Sequence, residues 1–224
     1  MSKMNSEIAS LLFENDSVSL PGFGCFSTQY SPADIHPAQH LFKPPFKEII
    51  FSEGEAGYNY YQLVSGSVRW INIDEEGKEY IQYIVEPGEC FGELPLIDDE
   101  PYAATAMAES ESVILKLNKE HFLQLLKENP EIHFAFTKML VKRIRYKFLL
   151  TKAIAYLNPE NRLIELLNYL KAEKKHICPK CAQLKLTRQQ IADMTGLRVE
   201  TVIRSMKNLN ERNYLRIERG KIYL

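Results

Sequence analysis

Short runs of alternating hydrophobic and polar residues fill the middle of the chain, from about residue 45 to residue 117. This alternation predicts β-strands that bury one face. The stretch YYQLVSGSVRWINID, the turn residues 74–77 and the stretch KEYIQYIVEPG predict a strand, a turn and a second strand. Six glycines separate the runs and favour tight turns: Gly54, Gly57, Gly66, Gly77, Gly88 and Gly92. We therefore predict an antiparallel barrel or sandwich.

A helical pattern replaces the alternation near Asn118. Asn118 is expected to cap a short helix that reaches Lys127, and Asn129 with Pro130 begins a longer helix to about Leu157. Small or apolar residues recur along the longer helix at steps of four and three: Thr137, Val141, Ile144, Phe148, Thr151 and Ala155. This heptad seam predicts a second helix packed against it, from the same chain or from a second copy. Three residues beside the seam can pack on the strands: Phe136, Met139 and Leu140.

The last third of the chain has the pattern of two short helices joined by a turn. Asn158 and Pro159 first begin a helix to about residue 173, which the loop KKHICPKCAQLK follows. Thr187 and Gln190 then form a capping box, and Gly196 suits a turn before a second helix. The apolar face of that second helix consists of Val202, Met206 and Leu209. The segment YLRIERGKIYL predicts a β-hairpin that turns near residues 219–220, so the whole is typical of a winged helix-turn-helix.

Charge is distributed unequally along the 224 residues, although the net charge is −1. Residues 160–224 contain 14 Lys or Arg and 7 Asp or Glu, whereas the preceding part has a net charge of −8. A basic domain joined to an acidic one favours a nucleic-acid partner for the basic part. No apolar run is long enough to span a membrane, and the start MSKMNSEIASLLFEND lacks the apolar core of a secretory signal. We therefore expect a cytoplasmic protein with no membrane partner.

The exposed face of the second short helix carries the residues that can read DNA. They are Arg198, Glu200, Thr201, Arg204 and Lys207. Arg can bond bidentately to guanine, and Glu can accept a hydrogen bond from the amino group of cytosine. Thr187, Arg188, Arg198 and Lys207 suit phosphate contacts. A solvated charged face is the alternative for an isolated helix, but here the cap, the turn and the wing coincide with it.

Several motifs in one order resemble the cyclic-AMP receptor protein (CRP/FNR) family of bacterial transcription regulators. They are IIFSEGEAGYNYYQLVSGSV, DEEGKE, EPGECFGEL, the long helix after residues 129–130, NR at 161–162, and LTRQQIADMTGLRVETVIR. The resemblance extends from about residue 49 to residue 224. It implies an α+β fold with a jelly-roll-like cyclic-nucleotide-binding β-roll (residues 1–128), a dimerisation helix (129–158) and a winged helix-turn-helix (159–224).

The resemblance also implies a homodimer that reads a two-fold symmetric site in double-stranded DNA and contacts RNA polymerase. Five seam residues are then dimer-interface residues: Val141, Ile144, Phe148, Thr151 and Ala155. Glu200 and Arg204 fall on the base-reading positions of the family. Because Val199-Glu200-Thr201 looks more like the oxygen-responsive branch, we expect a half-site with a TTGA-like or GTGA-like core.

The effector pocket departs from the pattern of the family. Cyclic-nucleotide binders continue from Gly-Glu-Leu to an Arg-Ser pair that holds the cyclic phosphate. This chain keeps Gly92, Glu93 and Leu94 but has Tyr102 and Ala103 in place of that pair. The positions that would contact the base hold Lys147 and Phe148, and Arg143 or Lys147 offers a substitute cation. We therefore expect that the protein does not bind cyclic AMP, and the identity of its effector stays open. The alternative is a cyclic-nucleotide-responsive regulator with a variant pocket.

The cysteines and the histidines leave two further alternatives open. His176, Cys178 and Cys181 have spacing suited to a metal site, and the two cysteines suit a redox pair. A single such knuckle without a fourth ligand is a weak signal, and incidental thiols are the simpler interpretation. No nucleophile elbow, Walker loop or HExxH motif occurs, so no enzyme is expected. A third class of function is a scaffold that binds no ligand and recruits a protein partner.

Overall fold

The computed structural model describes residues 17–20, 24–29 and 48–224. The predicted helix near residues 5–14 lies outside these residues. The chain divides into two compact units, residues 1–77 with 82–138 and residues 78–81 with 139–224. The predicted limits of the three functional parts, at 128/129 and 158/159, therefore stay predictions.

Antiparallel strands form two sheets, as the alternation predicts. The strands are β1 (Ser17–Leu20), β2 (Gly24–Gln29), β3 (Ile49–Phe51), β4 (Asn59–Ser65), β5 (Val68–Ile73), β6 (Glu79–Val85), β7 (Cys90–Phe91), β8 (Thr105–Ala108) and β9 (Val113–Asn118). One sheet has the order β1-β2-β9-β4-β7, and the other has the order β3-β8-β5-β6. Leu63, Val68, Ile71 and Phe91 are fully buried between them. This mixture of strands and helices confirms the predicted α+β fold class.

The first predicted strand is divided at Gly66, which the alternation did not predict. Residues before Gly66 belong to β4 and pair with β9, whereas residues after it belong to β5 and pair with β8. Gly66 has φ of 93°, and a Cβ added there would lie 2.2 Å from Oγ of Ser112. The connection between β8 and β9 approaches Gly66 closely at Ser112. Glycine is therefore required where the chain passes from one sheet to the other.

Six helices complete the described chain: α1 (Leu94–Asp98), α2 (Lys119–Glu128), α3 (Pro130–Tyr156), α4 (Pro159–Glu173), α5 (Arg188–Thr195) and α6 (Val199–Glu211). The predicted caps of α2 and α4 are confirmed. The Asn118 side chain accepts a hydrogen bond from the backbone N–H of His121 (2.9 Å), and Asn158 does the same for Asn161 (2.9 Å). The Asn129 amide instead donates to the carbonyl of Leu125 (3.0 Å), so this side chain closes α2 at the point where α3 begins.

An aromatic cluster attaches α2 and the first turns of α3 to the strands of the same unit. The Tyr60 ring stacks on Phe122 with centroids 4.3 Å apart, and Phe122 meets Phe136 edge to face at 5.4 Å. Phe122 and Phe136 are buried. The predicted packing of Phe136 on the strands is therefore confirmed.

The heptad seam is the exposed side of α3. All six seam residues are exposed in the described chain, and Phe148 is the most exposed of the large ones, at 71%. Tyr146, Leu150 and Ala153, which lie off the seam, are buried instead. Within the described residues, the seam therefore does not form the intrachain packing face of α3.

Candidate functional site

The two helices of the predicted helix-turn-helix are fixed by local hydrogen bonds and a shared core. Oγ1 of Thr187 accepts a hydrogen bond from the backbone N–H of Gln190 (3.1 Å), and the Gln190 side chain accepts one from the N–H of Thr187 (2.8 Å). Gly196 ends α5 with φ of 65°, and its N–H donates to Ala192. Ala192 is buried, together with Ile191, Val202, Met206 and Leu209. The predicted capping box, turn and apolar face are thus confirmed.

Arg162 connects two helix ends in the second unit, a role that the sequence did not reveal. Its guanidinium donates to the carbonyl of Ile154 near the end of α3 (3.1 Å). It also donates to the carbonyl of Thr195 at the end of α5 (3.1 Å). Both acceptors lie in the last turn of a helix, where the backbone dipoles favour a positive charge. Arg162 thereby fixes the C-terminal end of α5 relative to the end of α3.

The opposite side of α6 presents the predicted DNA-reading side chains to solvent. Arg198 precedes the helix as its N-cap residue, and Glu200, Arg204 and Lys207 are exposed along it. Thr201 is half-buried beside them. Nζ of Lys207 lies 3.9 Å from a carboxylate oxygen of Glu211, one helical turn further on. The structure therefore brings these residues together on one face.

A two-stranded wing follows α6. It consists of β10 (Arg216–Glu218) and β11 (Lys221–Tyr223), which pair antiparallel around a turn at residues 219–220. Arg219 and Gly220 both have positive φ, as a tight hairpin turn requires. The Arg188 guanidinium donates to the carbonyl of Gly220 (2.8 Å), so this residue attaches the wing to α5. The Arg188 guanidinium has further N–H groups that can donate to a DNA phosphate, so its predicted phosphate contact stays a prediction.

Glu93 and its neighbours form the retained half of the predicted effector pocket. Gly92 has φ of 79°, and a Cβ there would lie 2.7 Å from Cδ2 of Tyr61. Glu93 is buried and is the N-cap residue of α1, whereas Leu94 is half exposed at 47%. The loop geometry of the motif is therefore present, but Leu94 points away from the core.

Tyr102 fills the position at which the motif would have its cation. Its ring stacks on Phe51 with centroids 3.7 Å apart and rings within 10° of parallel. The Tyr102 side chain forms a hydrogen bond with Tyr61, and its backbone N–H donates to the carbonyl of Glu55 (2.9 Å). A Cβ added at Gly57 would lie 2.9 Å from Cζ of Tyr102, so space around the phenol is closed on that side as well.

The electrostatic environment of Tyr102 is acidic. Burial raises the pKa of the phenol far above its usual value, and the nearby Tyr61, Glu55 and Glu93 raise it further. The group is therefore a neutral phenol at any physiological pH. The backbone carbonyl of Ala103, at the next position, accepts a hydrogen bond from the Asn72 amide (2.9 Å).

The remaining predicted pocket residues lie on α3, in the second unit. Burial lowers the pKa of Lys147 to about 8. Arg143 is half-buried, and Phe148 is exposed on the seam. Their contribution to an effector pocket therefore stays a prediction.

The loop between α4 and α5 brings Cys178 and Cys181 side by side. The Cys178 side chain forms hydrogen bonds with the Cys181 thiol and with the backbone groups of Lys180 and Cys181. These hydrogen bonds lower the pKa of Cys178, and the one with the Cys181 thiol contributes most. Two backbone hydrogen bonds join this loop to the wing, from Leu184 to Ile222 (2.8 Å) and from Leu224 to Ala182 (3.1 Å). Among the described residues, no three His, Cys, Asp or Glu side chains are grouped so that they could hold a metal ion. His176 is buried and does not form such a group with the two cysteines.

Comparison with known proteins assigns both units to families. Residues 45–129 match the cyclic nucleotide-binding domain, and residues 161–224 match the Crp-like helix-turn-helix domain. Residues 1–54 match the CCDC81-like prokaryotic HU domain 1, largely outside the described residues. The cAMP-activated global transcriptional regulator CRP of Pasteurella multocida is 32% identical over 178 residues, which cover 79% of this chain and 85% of that protein. The chain belongs to the CRP/FNR family of transcription regulators.

Solved structures agree with this assignment of the fold. A CooA variant from Carboxydothermus hydrogenoformans has a TM-score of 0.70 at 19% identity, covering 89% of this chain and 83% of that one. The c-di-GMP responsive global regulator CLP of Xanthomonas campestris has a TM-score of 0.67 at 21% identity, covering 96% and 97%. The predicted β-roll, long helix and C-terminal helix-turn-helix are thereby confirmed.

As a CRP/FNR protein, this chain is a DNA-binding transcription regulator, and its family consists of regulators rather than enzymes. None of the helices in the described ranges is both long and apolar enough to cross a bilayer. The finer assignments, which concern individual DNA-reading residues, the dimer and the effector, are argued below.

Proposed function

We propose that this CRP/FNR chain acts as a homodimer that reads a two-fold symmetric DNA site and does not respond to cyclic AMP. The observation that carries the DNA-reading part is the exposed face of α6, on which Glu200, Arg204 and Lys207 follow one another at steps of four and three. A second helix of a helix-turn-helix enters the major groove with its N-terminal residues at the base edges. Glu200 and Arg204 then read bases, Lys207, Arg198, Arg188 and Thr187 contact the phosphates, and Thr201 lies beside them on the same DNA-reading face.

Substitution of Arg204 tests this assignment. Arg204→Ala removes a guanidinium that can bond two acceptors of one guanine, so we expect a loss of about 1–3 kcal/mol in discrimination between the preferred site and random DNA. Lys207→Ala is the matched control, since loss of a phosphate contact weakens binding to all sequences alike. Fluorescence anisotropy at one fixed salt concentration measures both. Equal losses of Arg204→Ala on specific and random duplexes would remove Arg204 from the base-reading set.

The proposed dimer is supported by the exposed apolar seam of α3. Val141, Ile144 and Phe148 are between 45% and 71% exposed in a single chain. Burying the exposed part of such a side chain is favourable by about 1–2 kcal/mol. A second copy related by a two-fold axis covers the seam with the same residues and sets two α6 helices to read two half-sites about one helical turn apart.

The proposed lack of response to cyclic AMP is supported by the surroundings of Tyr102. A cyclic phosphate carries a negative charge, and the side chain in the place of its cation is a neutral phenol close to two carboxylates. The phenol is also stacked on Phe51, so a phosphate would have to displace a packed ring. Cyclic AMP is thus opposed by both charge and space. The natural effector, if there is one, has to differ in one of these respects.

A second candidate function is redox control through Cys178 and Cys181. The observation in its favour is the hydrogen bond between the two thiols in a loop attached to the wing. Oxidation of the pair to a disulfide releases two electrons and two protons, which hydrogen peroxide accepts as it is reduced to water. The bond would tighten the loop beside β11 and change how the wing meets DNA.

Peroxide treatment tests this second function. We expect the affinity of the wild type for its selected site to change at least about threefold after oxidation and to return after a thiol reductant, because the loop and the wing share hydrogen bonds. Cys178→Ser should abolish the response, and Cys90→Ser, which replaces a buried thiol of the β-roll, should retain it. A response that survives in Cys178→Ser would contradict the assignment. Zinc analysis of the same two variants distinguishes a metal site from a dithiol.

A further inference from the structure

Ile203 is an exposed apolar residue on the face of α6 that otherwise carries charged side chains. It is 50% exposed. The core of the helix-turn-helix does not need it, because Val202, Met206 and Leu209 are buried on the other side of α6. Of the large apolar residues of α6, all of which the structure describes, Ile203 is the one exposed. The core therefore gives no reason for an isoleucine at this position.

The place of Ile203 along α6 puts it among the residues proposed to read bases. It is the fifth residue of the helix, three after Glu200 and one before Arg204. Residues three apart lie on the same side of a helix. Any duplex that Glu200 and Arg204 contact in the major groove therefore also faces Ile203.

The chemistry of the major groove offers one apolar partner for such a side chain. Each base pair presents hydrogen-bonding groups at this edge, and thymine adds a C5-methyl group. A β-branched side chain has few rotamers, so it presents its methyl groups in a defined direction. We propose that Ile203 packs on the methyl group of a thymine next to the base pairs read by Glu200 and Arg204, and so selects an A·T pair there. This inference rests on the proposed role of α6 in reading DNA.

Replacement of thymine by deoxyuridine tests the contact, because it removes the methyl group and leaves every hydrogen-bonding group in place. The probe is a two-fold symmetric duplex selected by the wild-type protein from a random pool. Single thymines are replaced in turn, in both half-sites together. One buried methyl corresponds to about a fourfold change in affinity, so we expect about a fourfold loss per half-site at one thymine position and no change at the others.

Variants of the protein assign that position to its residue. Ile203→Ala should bind the unmodified duplex more weakly and show no further loss with deoxyuridine at the sensitive position. Lys207→Ala should weaken binding to every duplex equally and keep the sensitive position. Ile203→Val keeps the branched side chain and should retain part of the sensitivity. Circular dichroism confirms that each variant is folded, which is expected because Ile203 is outside the core.

Two failures can be distinguished. A wild-type protein that binds its selected duplex no better than random DNA defeats the proposed function, and the inference with it. A wild-type protein that discriminates, but whose deoxyuridine profile has no sensitive position or is the same in Ile203→Ala, overturns the inference alone. In that case Glu200 and Arg204 keep their roles and Ile203 has none in sequence selection.

Discussion

Replacing Ile144 and Phe148 together by aspartate is expected to convert a dimer into a monomer and to abolish specific DNA binding. The two side chains are 53% and 71% exposed on the seam of α3. In a two-fold interface each of them occurs twice, so four apolar side chains lose the burial of their exposed part, which is worth about 1–2 kcal/mol each. Four buried carboxylates add a desolvation penalty. The loss exceeds about 4 kcal/mol, or a factor of more than about 10³ in the dimer dissociation constant.

Analytical ultracentrifugation measures the change in mass, and fluorescence anisotropy measures the loss of affinity for a two-fold symmetric duplex. Lys142→Asp is the matched control, because it changes the charge of α3 by the same amount at a site off the seam. Its ion pair with Glu173 is exposed and long at 3.8 Å, so its loss has little effect on stability. If the double variant kept the mass of a dimer, the seam would not be the dimer interface.

Helix ends were predictable from the sequence because their causes lie within a few residues. Asn118, Asn158 and Thr187 accept hydrogen bonds from backbone N–H groups three positions further along. Gly196 ends α5 through its own backbone conformation. Each of these interactions needs only one short segment of chain, so the pattern of residues determines it. The same holds for the buried face of α6.

The division of the first predicted strand at Gly66 could not be predicted in this way. Its cause is the connection at Ser112, more than forty residues further along the chain. Alternation is the same on both sides of Gly66, because β4 and β5 each bury one face, but in different sheets. A pattern with a period of two identifies strands and leaves their pairing open.

The candidate sites show the same limit. The motif alone identifies Tyr102 as a departure from the family, but its stacking depends on Phe51, which belongs to β3 at a distant place in the sequence. The hydrogen bonds of Arg162 to Ile154 and Thr195 join three helices, so NR at 161–162 could be recognised only as a family motif. The apolar face predicted for α6 leaves Ile203 outside it, but the pattern alone does not show that half of this side chain is exposed among charged neighbours.

The wild-type protein is expected to show no heat of binding when it is titrated with cyclic AMP, and its affinity for DNA should be the same with and without the nucleotide. A buried phosphate that lacks its cation loses about 2–5 kcal/mol, a factor of roughly 30 to several thousand in affinity. At Tyr102 the penalty is larger still, because the Glu55 carboxylate is close to the phenol and the ring is packed on Phe51. Isothermal titration calorimetry is the measurement.

Two variants separate the effect of charge from the effect of space in this pocket. Tyr102→Phe removes the hydroxyl, keeps the ring on Phe51 and should still bind no cyclic AMP. Tyr102→Arg combined with Ala103→Ser restores the two phosphate-holding side chains of the family, and we expect the affinity for cyclic AMP to rise at least about 30-fold because the missing cation is supplied. Micromolar binding by the wild type would show that another cation serves the phosphate. Lys147 or Arg143 would then be the first residues to replace by alanine.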